Sequence, residues 1–65
     1  MLYKVYEAKI SDNPNIKGIT TGDKLDEFES DKKYAPTMII QVKNENRRIR
    51  TVDYKNSQLA ILMVE

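Results

Sequence analysis

The stretch Thr37 to Val52, TMIIQVKNENRRIRTV, constrains the fold most. Two runs of strand-forming residues flank the polar Asn44-Glu45-Asn46, which is the pattern of a β-hairpin. Side chains alternate faces along a strand, so register decides which residues lie together. If Lys43 opposes Arg47, arginines fall among the apolar residues. If Lys43 opposes Arg48 across a loop of Asn44 to Arg47, the sorting is clean. Val42 then pairs with Ile49 and Ile40 with Thr51 on an inner face. Gln41, Lys43, Arg48 and Arg50 face outward, with Arg47 at the tip. This register predicts a ribbon that is apolar beneath and cationic above. It sets Lys43 opposite Arg48, a like-charge pair that is mildly destabilising unless an anionic partner meets it.

The remaining segments also favour strands. Met1 to Ile10 is rich in Tyr, Val, Leu and Ile and predicts a strand with a bulge near Val5–Tyr6. Ser11-Asp12-Asn13-Pro14-Asn15 predicts a loop, because Asp and Asn bond their own backbone and Pro fixes φ. Gly18 and Gly22, the only glycines in the chain, predict positive φ or a close backbone approach. Asp23 to Lys33 is ambiguous. Acids in its first turn and lysines in its last suit a helix dipole. Leu25 and Phe28 are out of alternation for a strand, so a helix of one or two turns is expected ahead of an irregular strand. Asp53 to Gln58 predicts a polar turn, with a single 3₁₀ turn around Tyr54-Lys55-Asn56 as one form. Leu59 to Val64 is a continuous apolar run, which suits a strand buried on both faces, a strand at a subunit seam, or a short helix capped by Ser57.

Taken together, residues 1–65 predict one mainly β domain, with at most one short helix. With 65 residues and no cysteine, neither a large core nor a disulfide holds it together. A marginal monomer, or a homo-oligomer joined through Leu59–Val64, is expected. No apolar run nears the roughly 20 residues that cross a bilayer, and no secretory leader is visible. With the lack of cysteine, which fits a reducing compartment, a cytoplasmic location off the membrane is expected.

The order of strand, polar loop, Ile19-Thr20-Thr21-Gly22-Asp23-Lys24-Leu25, hairpin, turn and last strand resembles small SH3-like barrel proteins of phages and prophages of Gram-positive bacteria. Those proteins carry a Leu-Thr-x-Gly-Lys-x-Tyr-x-Val phrase after the first strand. Thr20, Thr21, Gly22 and Leu25 fit it, whereas Asp23 stands where Lys is usual and Asp26-Glu27-Phe28 replaces its continuation. The resemblance implies a partly open barrel of about five strands and a non-enzymatic binding domain.

The chemistry of the chain agrees with a binding role. There is no histidine and no cysteine, so the usual base near neutral pH, the usual partner of a nucleophile and the usual transition-metal ligands are all missing. Asp26, Glu27 and Glu29 match no metal-loop spacing, and Gly18-x-x-x-Gly22 lacks the Lys-Ser/Thr of a phosphate loop. No cofactor is expected. Protein and nucleic-acid partners remain. Lys43, Arg47, Arg48, Arg50 and Lys55, with Tyr54 as a stacking ring, are the candidate contact residues. Against a polyanion stand a sequence pI of about 7.9 and the acids Asp23, Asp26, Glu27, Glu29 and Asp31. Mixed patches suit a protein target better, and the expected function is a small accessory or inhibitory protein that docks on a host protein. The alternative is a low-specificity nucleic-acid-binding domain using the basic hairpin face.

Overall fold

A computed structural model describes residues 1–10 and 19–65. The Ser11–Asn15 loop and Gly18 lie outside them. The described chain is all-β, with strands β1 (Leu2–Ile10), β2 (Ile19–Glu29), β3 (Ile39–Val42), β4 (Glu45–Tyr54) and β5 (Leu59–Val64). They form one curled sheet in the order β2-β1-β5-β4-β3, a half-barrel consistent with a small, partly open SH3-like barrel. β1 and β5 run parallel, and every other pairing is antiparallel. β2 and β3 are the two edges.

The core fills the concave face. Tyr3, Val5, Ile40, Val42, Ile49, Ala60, Leu62 and Val64 are buried together. Leu59 to Val64 is not a helix. It is the central strand, paired with β1 on one side and β4 on the other. Ala60, Leu62 and Val64 point into the core, while Leu59, Ile61 and Met63 are half-buried on the convex face. A second copy therefore finds no free β5 edge to pair with.

Asp23 to Lys33 is not a helix: β2 continues to Glu29. Its uneven apolar spacing comes from register shifts against β1 between Val5 and Tyr6 and between Tyr6 and Ala8. The first falls at the expected bulge, and its extra residue is Leu25 on the partner strand. A bulge re-aims side chains locally, so Leu25 and Phe28 both pack against the core despite their spacing. Gly22 lies in the second shift. A Cβ there would stand 2.8 Å from the Glu7 carbonyl oxygen, so glycine serves a close approach at this position.

The β3–β4 hairpin closes more tightly than expected. Val42 pairs with Glu45, Ile40 with Arg47 and Ile39 with Arg48. The loop is only Lys43-Asn44, with φ of 50° and 68°. Positive φ at both central residues is the type I′ geometry, whose twist matches that of the flanking strands. Neither expected register is correct, and Lys43 does not oppose Arg48. The slip from the favoured register is four residues, an even number, so the pleat keeps its parity. Ile40, Val42 and Ile49 still share the buried face. Glu45 and Arg47 join them at its rim, where they form an ion pair at 3.0 Å.

Residues 30–38 cross from the β2 edge to the β3 edge. Two tyrosines pin this crossing: the Tyr3 hydroxyl donates to the Lys32 carbonyl at 2.8 Å and the Tyr54 hydroxyl to the Tyr34 carbonyl at 2.9 Å. The segment ends in a turn in which Met38 N–H donates to the Ala35 carbonyl at 3.3 Å. Pro36 presets its second position, and Thr37 holds φ at 78°, the signature of a type II turn. After β4, residues 56–58 form a bend rather than a 3₁₀ turn. Lys55 N–H and Asn56 N–H both donate to the Leu59 carbonyl there.

Candidate docking site

The sheet leaves one side of β3 open. The phase of its ladder is fixed where Ile49 N–H donates to the Met38 carbonyl at 2.8 Å. Antiparallel ladders alternate hydrogen-bonded and non-bonded pairs. Ile40 and Val42 therefore bond to β4, and the N–H and C=O groups of Ile39 and Gln41 point away from it. No strand among the described residues pairs with that side. Ile39 is 59% exposed, the most exposed large apolar side chain described.

This edge faces a groove of about 380 Å³ whose walls include Asp26, Phe28, Lys32, Tyr34, Ile39 and Gln41. The aromatic wall is well ordered by its own packing. Tyr3 stacks on Phe28 at 5.5 Å between ring centres, and Tyr34 stands edge-on to both, at 4.9 Å from Tyr3 and 5.9 Å from Phe28. Offset and edge-to-face rings each add about 0.5–1.5 kcal/mol beyond burial. Tyr3 is 1% exposed. Its phenol is pushed up to about 12, mainly by burial, with the neighbouring Tyr54 hydroxyl adding to the rise. It is a neutral hydrogen-bond donor over the whole physiological range.

Two charges of opposite sign line the groove. The Lys32 ammonium lies over the Tyr34 ring at 5.6 Å and is in no ion pair among the described residues. The Asp26 carboxylate accepts the N–H of Glu27 at 2.8 Å. Asp23, Glu27 and Glu29 are spread along β2 and Asp31 follows the strand, and Lys24 pairs with Glu27 at 2.8 Å. That contact lowers the Glu27 pKa and raises that of Lys24. No group of three or more acids among the described residues is placed to hold a metal ion.

The candidate contact residues lie around β4. Lys43 occupies the tight turn. Arg48 pairs with Ile39 on the outer face. Arg50 falls in the register shift between Ile49 and Thr51. Both reach the Glu65 carboxylate, Arg48 at 3.1 Å and Arg50 at 2.8 Å, and hold its pKa below the usual range, Arg50 contributing most. Arg47 is not at a loop tip. It lies on the inner face at the rim, donating to Glu45 at 3.0 Å and to the Glu65 carbonyl at 3.0 Å. Lys55 pairs with Asp53 at 2.6 Å. Tyr54 is 44% exposed, but its hydroxyl is used by Tyr34. The basic residues thus meet Glu45, Asp53 and Glu65 rather than the acids of β2, and Lys43 is the one candidate cation of the five that has no ion pair among the described residues.

The groove itself was not anticipated. Its one sequence signal is the doublet Ile39-Ile40: in an alternating strand, adjacent apolar residues put one on each face, and Ile39 is the one left in water. Among the described residues, no helix is long and apolar enough to cross a membrane. Comparison with known proteins finds no family model, no characterised protein and no solved structure that matches the chain.

Proposed function

We propose that this chain is a non-enzymatic docking protein that takes up an extended segment of a protein partner along β3. The observation that carries the reading is the open β3 edge facing a groove with an aromatic wall. Strand addition supplies main-chain hydrogen bonds, and neighbouring pockets supply side-chain selectivity. Ile39 and Gln41 offer two N–H and two C=O groups in the correct phase. Phe28 and Tyr34 supply the ring surface that protein interfaces favour. Asp26 and Lys32 suit a segment carrying one charge of each sign. A short edge is one means of limiting self-association, and β3 has only four residues.

The absence of histidine and cysteine from the sequence also favours binding over catalysis. With the resemblance to small phage barrels, the reading is a cytoplasmic accessory or inhibitory protein that docks on a larger host protein. Low-specificity nucleic-acid binding has less support, because Arg47, Arg48, Arg50 and Lys55 are each in an ion pair with a carboxylate. A polyanion that followed all four cations would have to displace three carboxylates at once, those of Glu45, Asp53 and Glu65.

Capture of a partner from host lysate by wild-type protein, compared with Gln41→Pro and Ile39→Lys, tests the reading. Proline at Gln41 removes an N–H that β4 does not use, so the hairpin keeps its own bonds. The expected outcome is a partner retained by wild type and lost by both variants, with their thermal midpoints close to wild type. Capture indifferent to both variants, or lost only with Arg48→Glu and Arg50→Glu, would rule out the β3 edge.

A further inference from the structure

A second, open concavity of about 320 Å³ is lined by Thr37, Arg48, Ile49, Arg50 and Glu65. A carboxylate already lies in it. Arg48 donates to the Glu65 carboxylate through Nε and Nη2, both at 3.1 Å, and Arg50 through Nη1 at 2.8 Å. Glu65 is placed by its backbone, its N–H donating to the Arg48 carbonyl at 2.9 Å and its carbonyl accepting from Arg47 at 3.0 Å. The Glu65 side-chain carboxylate thus meets two guanidinium groups, and Arg47 has its own side-chain carboxylate in Glu45.

The same pair of forks suits a larger anion. Guanidinium groups match phosphate oxygens two at a time, and a phosphate monoester carries about −1.5 to −2 at neutral pH. Thr37 adds to the wall of the cleft. It is a β-branched residue at φ 78°, a conformation such residues rarely adopt. Strained residues of this kind cluster at binding sites. Among the described residues, the hydroxyl of Thr37 has no hydrogen-bond partner. The side chains of Arg48 and Glu65 are 55% and 38% exposed, so an incoming anion reaches them without unfolding the sheet.

We propose that the Arg48–Arg50 cleft is a binding site for a phosphate monoester dianion, occupied in the free protein by the Glu65 carboxylate. This inference uses residues outside the β3 groove and stands whether or not a peptide binds there.

Titration followed by the arginine Nε–H resonances tests it, with inorganic phosphate, phenyl phosphate and a single-stranded oligonucleotide as probes at low salt. Phosphate is expected to move the Arg48 and Arg50 signals in the wild-type protein and, as the carboxylate is displaced, the Glu65 side-chain carbon signal. Glu65→Gln is expected to tighten phosphate roughly two- to five-fold, the range an exposed ion pair represents. Arg48→Gln and Arg50→Gln are expected to abolish the response. Phenyl phosphate binding as well as inorganic phosphate marks a phosphorylated molecule as the natural ligand, whereas inorganic phosphate binding alone marks the free ion. Either outcome supports the site. Wild-type Arg48, Arg50 and Glu65 signals indifferent to phosphate would overturn it. So would an oligonucleotide that moves them more strongly than either monoester does.

Discussion

The aromatic and basic ends of this sheet are built from opposite kinds of contact. At one, Tyr3, Phe28 and Tyr34 pack ring against ring, and two tyrosine hydroxyls bond carbonyls of the 30–38 crossing. At the other, Arg47, Arg48 and Arg50 converge on Glu65 across half-exposed surface. Ring burial is neither screened by salt nor exchanged for another ligand. Exposed ion pairs are both, and contribute little to stability. The aromatic end should therefore carry the fold and shape the β3 groove, while the basic end is free to trade partners.

Truncation at the aromatic end should have the largest effect. Tyr3→Ala empties a fully buried site and should cost about 3–5 kcal/mol. A chain of this size has a total stability of roughly 3–10 kcal/mol, so the variant should be largely unfolded by circular dichroism at 25 °C. A cooperative transition near the wild-type midpoint would show that the rings are not the keystone of the fold.

Alkali probes the same residue without mutation. The Tyr3 phenol has an ordinary pKa of 10.0 and is raised to about 12 in the folded protein. The folded state therefore holds its proton where the unfolded chain has lost it. The resulting stability is complete below pH 10 and is lost as pH rises through about 12. About two pKa units correspond to about 2–3 kcal/mol. Denaturant titrations at pH 9, 10, 11 and 12 should show that decline, and Tyr3→Phe should flatten it. The same decline in the Phe variant would assign it to other groups.

Effects at the basic end should be much smaller. Glu65→Gln should lower the thermal midpoint only slightly, with the difference closing in 1 M salt. Glu65 is an acid with a lowered folded pKa, so its small contribution is present at neutral pH and lost as pH falls through that value. A large, salt-independent loss would put the basic end in the structural class and contradict the comparison. The smallest change is expected on the sheet between the two ends. The buried hydroxyl of Thr51 has no hydrogen-bond partner among the described residues, so Thr51→Val removes an unmet polar group. The midpoint should stay the same or rise by up to about 1 kcal/mol in stability.

The sequence carried the parity of the hairpin but not its register. Alternation placed Ile40, Val42 and Ile49 on one face whichever even slip is chosen. The turn was harder to read, because type I′ loops are advertised by Asn-Gly or Asp-Gly and here Lys43 occupies a positive-φ position. The helix expected over 23–33 failed for a related reason. Bulges hide strand periodicity, and only the pairing with β1 shows that Leu25 is the inserted residue. The β3 edge was illegible in principle. A strand is an edge only through the order of the whole sheet, and here a parallel contact between the first and last strands sets that order. Glu65 escaped notice because a single acid beside no motif gives no signal until the fold brings it to Arg48 and Arg50.

Backbone hydrogen exchange along β3 tests the docking account most directly. The open edge predicts alternation over four residues: slow amides at Ile40 and Val42, which bond to β4, and fast amides at Ile39 and Gln41. Partner binding should then slow Ile39 and Gln41 selectively. Slow exchange at both in the free protein would mean that another segment already covers the edge, and the docking site would lie elsewhere.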